Sequence, residues 1–389
     1  MNTSIRDIRG RRVWDSRGRP TVEAEVHLEN GAVGRAIAPA GASTGSGEAL
    51  DKRDGGERFG GLDVMQAVSA VNTEICGALR SMEGTDQSAI DHALIRLDGT
   101  RDKSRLGGNA TIAVSMAAAH AAAAAHGLPL FRFLAGGHTD LYLPMPEIQV
   151  FGGGAHANHR VDIQDYMIVP TGTRDYATAL EWCAEVYRAA GELMEETGRL
   201  RGVADEGGWW PAFESNEQGL DYLLRAIERA GFEPGIDIAI SLDIAASEFG
   251  RAGQYRLSRD NATMTSAEFV EVIQGWLTRY PISAIEDPLA EDDLEGMRKL
   301  TAVAGSAVKI VADDLVCTDA GRITRAAARG ACNTALIKPN QAGTLTEARA
   351  ALEAARTAGW SSIVSARSGE SEDVTIVHLA VGWSIEQIK

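Results

Sequence analysis

Paired cysteines are the first thing this sequence lacks. Its four cysteines (Cys76, Cys183, Cys317 and Cys332) are scattered and none forms a CxxC pair. They read as reduced thiols in or near the core of a cytoplasmic protein. A membrane-spanning run is missing too. The most apolar stretch, residues 110–125, is mostly alanine, contains Ser115 and His120, and falls short of the roughly 20 residues a span needs. It reads as a closely packed buried helix. The start, Met1-Asn2-Thr3-Ser4-Ile5-Arg6, shows no basic segment leading into an apolar run, so no signal peptide is expected. Positive charge is in deficit: 38 Lys and Arg stand against 54 Asp and Glu, a net charge of −16. That balance argues against nucleic acid and anionic membrane as partners. It suits a site that gathers carboxylates around cations. No 20–50-residue repeat of the solenoid kind is visible.

What is present is enough chain, at 389 residues, for a full barrel and a smaller domain. The first third reads as α+β. Val22, Ala24, Val26 and Leu28 alternate with other residues as in a strand, Asn30-Gly31 turns the chain, and a second extended segment runs from Val33 to Ile37. Residues 40–47 are small and glycine-rich, a mobile loop or a plain linker. Alanine-rich helices follow to about residue 135. Beyond that, short apolar runs alternate with helical patterns, as in βα units around a parallel sheet. Leu180, Cys183, Tyr187, Ala190 and Met194 mark one helix.

The informative feature is how the apolar runs end. Residues 236–242 lead into Asp243, 284–285 into Glu286, 308–312 into Asp313, 335–337 into Lys338, 363–365 towards Arg367, and 387–388 into Lys389. In a (β/α)8 barrel the C-terminal strand ends meet on the face that holds the active site. One strand meeting a charge is ordinary; six in succession, acids first and bases last, imply a site. Three gathered carboxylates (Asp243, Glu286, Asp313) would repel one another unless a hard cation with oxygen ligands sat between them, and magnesium suits that role. A lysine near such a cation and near a second lysine has its ammonium form disfavoured and serves as a general base. That combination fits removal of a proton next to a carboxylate.

The sequence resembles the enolase family along its whole length. The resemblance rests on Asp15-Ser16-Arg17-Gly18, Gly41-Ala42-Ser43-Thr44-Gly45, Asp205-Glu206-Gly207-Gly208, Ser247-Glu248-Phe249, Ile285-Glu286-Asp287, Asp313-Asp314-Leu315, Lys338 with Asn340-Gln341, and Arg367-Ser368-Gly369-Glu370, all in order. It implies an enolase-type (β/α)8 barrel over residues 136–389 behind an N-terminal α+β capping domain over 1–135. It implies a lyase that holds two magnesium ions, one on Asp243, Glu286 and Asp313 and a second through Ser43. Lys338 would take the α-proton and Lys389 would face the substrate carboxylate. Glu206, supported by Asp165, would help the hydroxyl leave. Arg367 and Ser368 would hold the phosphoryl group, with His156 and Ser43 closing over the substrate. The substrate would be a small phosphorylated or phosphonylated carboxylate, and the assembly a homodimer or octamer. Enolases continue past the position of Lys389 with Thr-Gly and a closing helix, so a longer chain is expected.

The departures from the family lie at the site. The usual Gln-Glu-Phe reads Gln164-Asp165-Tyr166, one methylene shorter at the carboxylate. Ser-His-Arg-Ser reads Ser365-Ala366-Arg367-Ser368. The asparagine before the Gly-Gly-x-His loop is Gly152. Trp209-Trp210-Pro211 is bulkier than Phe-Ala-Pro, and Pro339 follows Lys338. Metal ligands and base are retained while the far end changes. The expectation is therefore a specialised family member acting on a modified, phosphonate-type 2-phosphoglycerate, as in carboxyphosphonoenolpyruvate synthesis. An ordinary enolase with neutral drift and a non-catalytic binding relative are the alternatives.

Overall fold

The computed structural model describes residues 2–389. The N-terminal part is a three-stranded antiparallel sheet, Ile5–Trp14 beside Pro20–Leu28 beside Val33–Ile37. The alternation read from the sequence is the buried face: Val22, Ala24, Val26 and Leu28 are all fully buried. Gly31 turns the hairpin with φ 89°. The alanine-rich segment forms the helix Gly108–Ala125, buried over nearly its whole length. It packs against the Val33–Ile37 strand, and Gly34 explains how closely: a Cβ there would run into the backbone of Ala117, His120 and Ala121. Small residues on both partners let two backbones approach. No helix is long and apolar enough to cross a membrane among the described residues.

The rest is a closed barrel. Its staves are Met145–Pro146 continued by Ile148–Gly152, then Asp165–Val169, Ala239–Asp243, Ile282–Glu286, Lys309–Ala312, Thr334–Ile337, Ser361–Val364 and Gln387–Ile388. Gln387–Ile388 pairs with Met145–Pro146 and shuts the ring. Helices alternate with the later strands, and the side chains of Asp175, Thr265, Asp293, Asp319 and Thr344 accept backbone N–H bonds at helix starts. Inside the ring, Ala284, Val311, Leu336 and Ile363 from four successive strands form one apolar layer. Towards the opposite end of the strands from the charged residues, Gln387 donates to Glu147 (2.7 Å) and Lys309 to Gln387 (2.5 Å).

Three expectations change. The sheet is not wholly parallel: Asp165–Val169 runs antiparallel to both neighbours. The strand before Asp243 starts at Ala239, and Ile236 is exposed in the preceding turn. In the helix Tyr176–Glu196, Cys183, Ala190 and Met194 are buried, but Leu180 is exposed. The four cysteines are free and buried. The N-terminal part meets the barrel at its mouth, where Ala40 and Gly369 exchange backbone hydrogen bonds of 3.0 and 2.9 Å and the Ala49 N–H reaches the Gln341 carbonyl at 2.7 Å.

Candidate active site

Each charged residue sits where its strand runs out, so all arrive at one mouth. Lys389 Nζ lies 2.8 Å from Asp243 Oδ2, 2.7 Å from Glu286 Oε2 and 3.3 Å from Asp165 Oδ2. Lys338 Nζ donates to Asp313 Oδ2 and lies 3.6 Å from Glu286 Oε1. Asp165 belongs to this group because its strand is reversed. It is the first residue of that strand and stands opposite Asp243, the last residue of the neighbouring one. A parallel strand would have carried it to the other end of the barrel.

The charges do not balance. Four buried carboxylates (Asp165, Asp243, Glu286, Asp313) face two ammonium groups (Lys338, Lys389), a surplus of two negative charges if all ionise. Burial opposes charge on Asp243 and Asp313, yet Lys389 and Lys338 hold both below the usual carboxylate range. Burial and the adjacent Asp243 push Glu286 far above it. Burial and then Glu206 push Asp165 up to about 6. Lys338 differs from the sequence expectation. Burial disfavours its ammonium, but Asp313 and Glu286 outweigh burial and raise its pKa. The donor set fits a hard dication. It is all carboxylate oxygen, it would carry two surplus charges once Glu286 and Asp165 ionise, and buried Glu286 Oε1 has no hydrogen-bond partner among the described residues. Carboxylates also converge at Asp287, Asp313 and Asp314, and His156 converges with Asp165 and Glu206. Asp287 braces the next strand end by accepting the N–H groups of Asp313 (2.9 Å) and Asp314 (2.8 Å).

One side of the mouth is built by His156, Asp165 and Glu206. His156 is buried in the short helical turn Gly154–Ala157, with Nε2 3.4 Å from Glu206 Oε1 and 3.9 Å from Asp165 Oδ1. Glu206 stands at the tip of a turn closed by Ala204 N–H to Gly208 O (2.8 Å) and Gly207 N–H to Ala204 O (3.0 Å). Tyr187 stacks on Trp209, 4.6 Å between ring centres, and donates to the Gly207 carbonyl. That contact gives the bulky Trp209 a structural role behind the turn. His120 and His159 stand apart from this group, His120 beside Thr375 Oγ1 at 2.9 Å and His159 exposed.

The other side is built around Arg367. Its guanidinium donates to Glu48 Oε2, to Asn340 Oδ1 and to the Ser43 carbonyl, each at 3.0 Å. Ser43 is thus tied to Arg367 through its backbone. Gln341 joins this side to the central carboxylates by donating to Glu48 Oε1 (3.1 Å) and Asp313 Oδ1 (2.7 Å). Ser368 Oγ accepts from Arg17, itself held by Asp15 and the Ala40 carbonyl. The half-buried Ala366 presents only a methyl group beside Arg367, and its N–H bonds the Lys389 carbonyl. Glu48, Gln341, Gln149 and Arg17 are the participants the sequence reading did not assign. Arg17 and Gln341 lie inside quoted motifs, whereas Glu48 and Gln149 carry no pattern of their own.

Two family models match the chain: the N-terminal domain of enolase over residues 5–134 and the C-terminal TIM barrel domain of enolase over residues 140–389. A curated relative from Pseudomonas syringae pv. syringae (strain B728a), named Enolase 2, is 46% identical over 391 residues, covering 100% of this chain and 91% of the relative.

Proposed function

The chain belongs to the enolase family of hydro-lyases, and on that premise we propose that Lys338 removes the α-proton of a phosphoglycerate-type carboxylate as water leaves from the neighbouring carbon. The observation that carries this reading is the placement of Lys338 and Lys389 among the carboxylates at the strand ends. Asp243, Glu286 and Asp313 would hold one magnesium ion and Ser43 a second. When bound, magnesium supplies positive charge against the substrate carboxylate and the charge that grows on proton removal. Once their oxygens are engaged by a cation, Asp313 and Glu286 pull less on the Lys338 proton, and Arg367 and Lys389 already disfavour the ammonium. A bound cation would thus weaken what holds the Lys338 proton, as the role of base requires. Lys389 faces the substrate carboxylate. Glu206, with Asp165 and His156 behind it, delivers a proton to the departing hydroxyl. Arg367 and Ser368 hold the phosphoryl end. The setting is cytoplasmic and the assembly a homodimer or octamer.

We further infer that the phosphoryl end takes a larger group than plain phosphate, as in a 2-phosphoglycerate whose phosphoryl group carries an additional carboxylate. Support comes from Ala366, a methyl group next to Arg367 where the family places histidine. The test is kcat/KM for 2-phosphoglycerate and for its carboxylated phosphonate counterpart, each with magnesium. Preference for the latter is expected. Turnover of 2-phosphoglycerate at ordinary enolase rates removes this inference and leaves the second reading, an enolase acting on 2-phosphoglycerate itself. The whole-length match to the relative named Enolase 2 favours that second reading. No turnover of either compound favours a non-catalytic role.

A further inference from the structure

We propose that Gln149 is a positioning residue that fixes the separation between Asp165 and Glu206, and that Gly152 and Gly208 are glycine to admit its amide. The proposal rests on the assignment of those two carboxylates to the leaving-group end. Gln149 lies on the Ile148–Gly152 strand, nearly fully buried. Its Oε1 accepts the Gly208 N–H at 2.8 Å, and its Nε2 donates to Asp165 Oδ1. The orientation of the amide is forced, because a backbone N–H can only donate. One side chain therefore ties Asp165 to the closing residue of the turn that presents Glu206, with His156 lying between the two carboxylates.

The glycines on either side fit this reading. A Cβ on Gly208 would collide with Gln149 Oε1. A Cβ on Gly152 would collide with Ala204 Cβ and press on both amide atoms of Gln149 at 3.2 Å. Reach is shared across the bridge. Lengthening Asp165 to glutamate adds one methylene and shortening Gln149 to asparagine removes one, so the two exchanges together leave the summed side-chain length unchanged. Two departures, Asp165 and Gly152, then belong to one rearrangement centred on Gln149.

The experiment compares wild type, Gln149→Asn, Asp165→Glu, the double exchange and Gln149→Leu, with magnesium and whichever of 2-phosphoglycerate and its carboxylated phosphonate counterpart wild type turns over faster. Each single exchange alters the span by one methylene and is expected to lower kcat by on the order of 10²-fold, the cost of a misplacement of about 1 Å, with KM little changed. The double exchange restores the span and is expected to recover kcat to within about tenfold of wild type, as coupled neighbours do. Hydrogen exchange at the Gly208 amide supplies a readout that needs no turnover. It should be slow in wild type and in the double exchange, and fast in Gln149→Leu. Losses that simply add in the double exchange, or a Gly208 amide equally protected in Gln149→Leu, overturn the proposal. If wild type turns over neither compound, the functional reading fails and the exchange measurement still decides this one.

Discussion

Lys338 and Lys389 both reach Glu286, yet their substitutions should behave differently. Lys338 is the assigned base. Lys338→Ala should abolish exchange of the substrate α-proton with solvent and lower kcat/KM by about 10³-fold, within the range for general acid–base groups; exchange of 2-phosphoglycerate in D2O, followed by NMR, measures it. An unchanged exchange rate would take the base assignment away. Lys389 pairs with Asp243, Glu286 and Asp165, so its loss leaves buried charge unpaired and should cost stability as well as activity. Both lysines were legible in the sequence because a charge directly after an apolar run marks a strand end. Gln149 was not, since one amide inside an apolar strand looks like any other polar residue. Glu48 was hidden for another reason: its partner Arg367 lies 319 positions away, and no local pattern announces a pair so distant.

At the level of elements, the direction of one strand decides the chemistry available. Asp165–Val169 runs against its neighbours, and that reversal alone brings Asp165 to the mouth. Alternation and apolar content are the same whichever way a strand runs, so the sequence placed Asp165 at the site only by resemblance. The N-terminal sheet was more readable, because one face is buried and the period-2 pattern is clean. Its packing makes a sharp prediction. Gly34→Ala puts a methyl group into the backbone of the Gly108–Ala125 helix. A side-chain rotation cannot relieve backbone contact, so the sheet and helix must separate. The expected loss is about 3 kcal/mol, the upper part of the range for overpacking, seen as a lower denaturation midpoint with an unchanged slope. A loss under about 0.5 kcal/mol would mean that the two elements slide apart freely.

Across the whole molecule, part of the negative charge is buried. Within the net charge of −16, several buried or part-buried carboxylates bind protons more tightly folded than unfolded. Burial pushes Glu370 from 4.5 up to about 7, burial and Glu206 push Asp165 from 3.8 up to about 6, and burial and Asp313 push Asp314 from 3.8 up to about 8. Each folded value lies above the unfolded one. The corresponding stability is therefore complete below about pH 4 and is lost as pH rises through 6 to 8. Glu370 alone sets a ceiling of about 3 kcal/mol, since one pKa unit is worth about 1.4 kcal/mol. With chelator present, unfolding free energy should fall between pH 5 and 8. Glu370→Gln should flatten that fall, gaining on wild type at pH 8 but not at pH 5. Magnesium acts in the opposite sense, because its proposed ligands bind it deprotonated. At 100 times its dissociation constant it adds about 2.7 kcal/mol, and it should do so more effectively at pH 8 than at pH 6. Denaturant titrations at three pH values, with EDTA and with magnesium, separate the two effects. Stability that rises with pH in EDTA would contradict the raised carboxylates, and magnesium without effect at pH 8 would contradict the metal site.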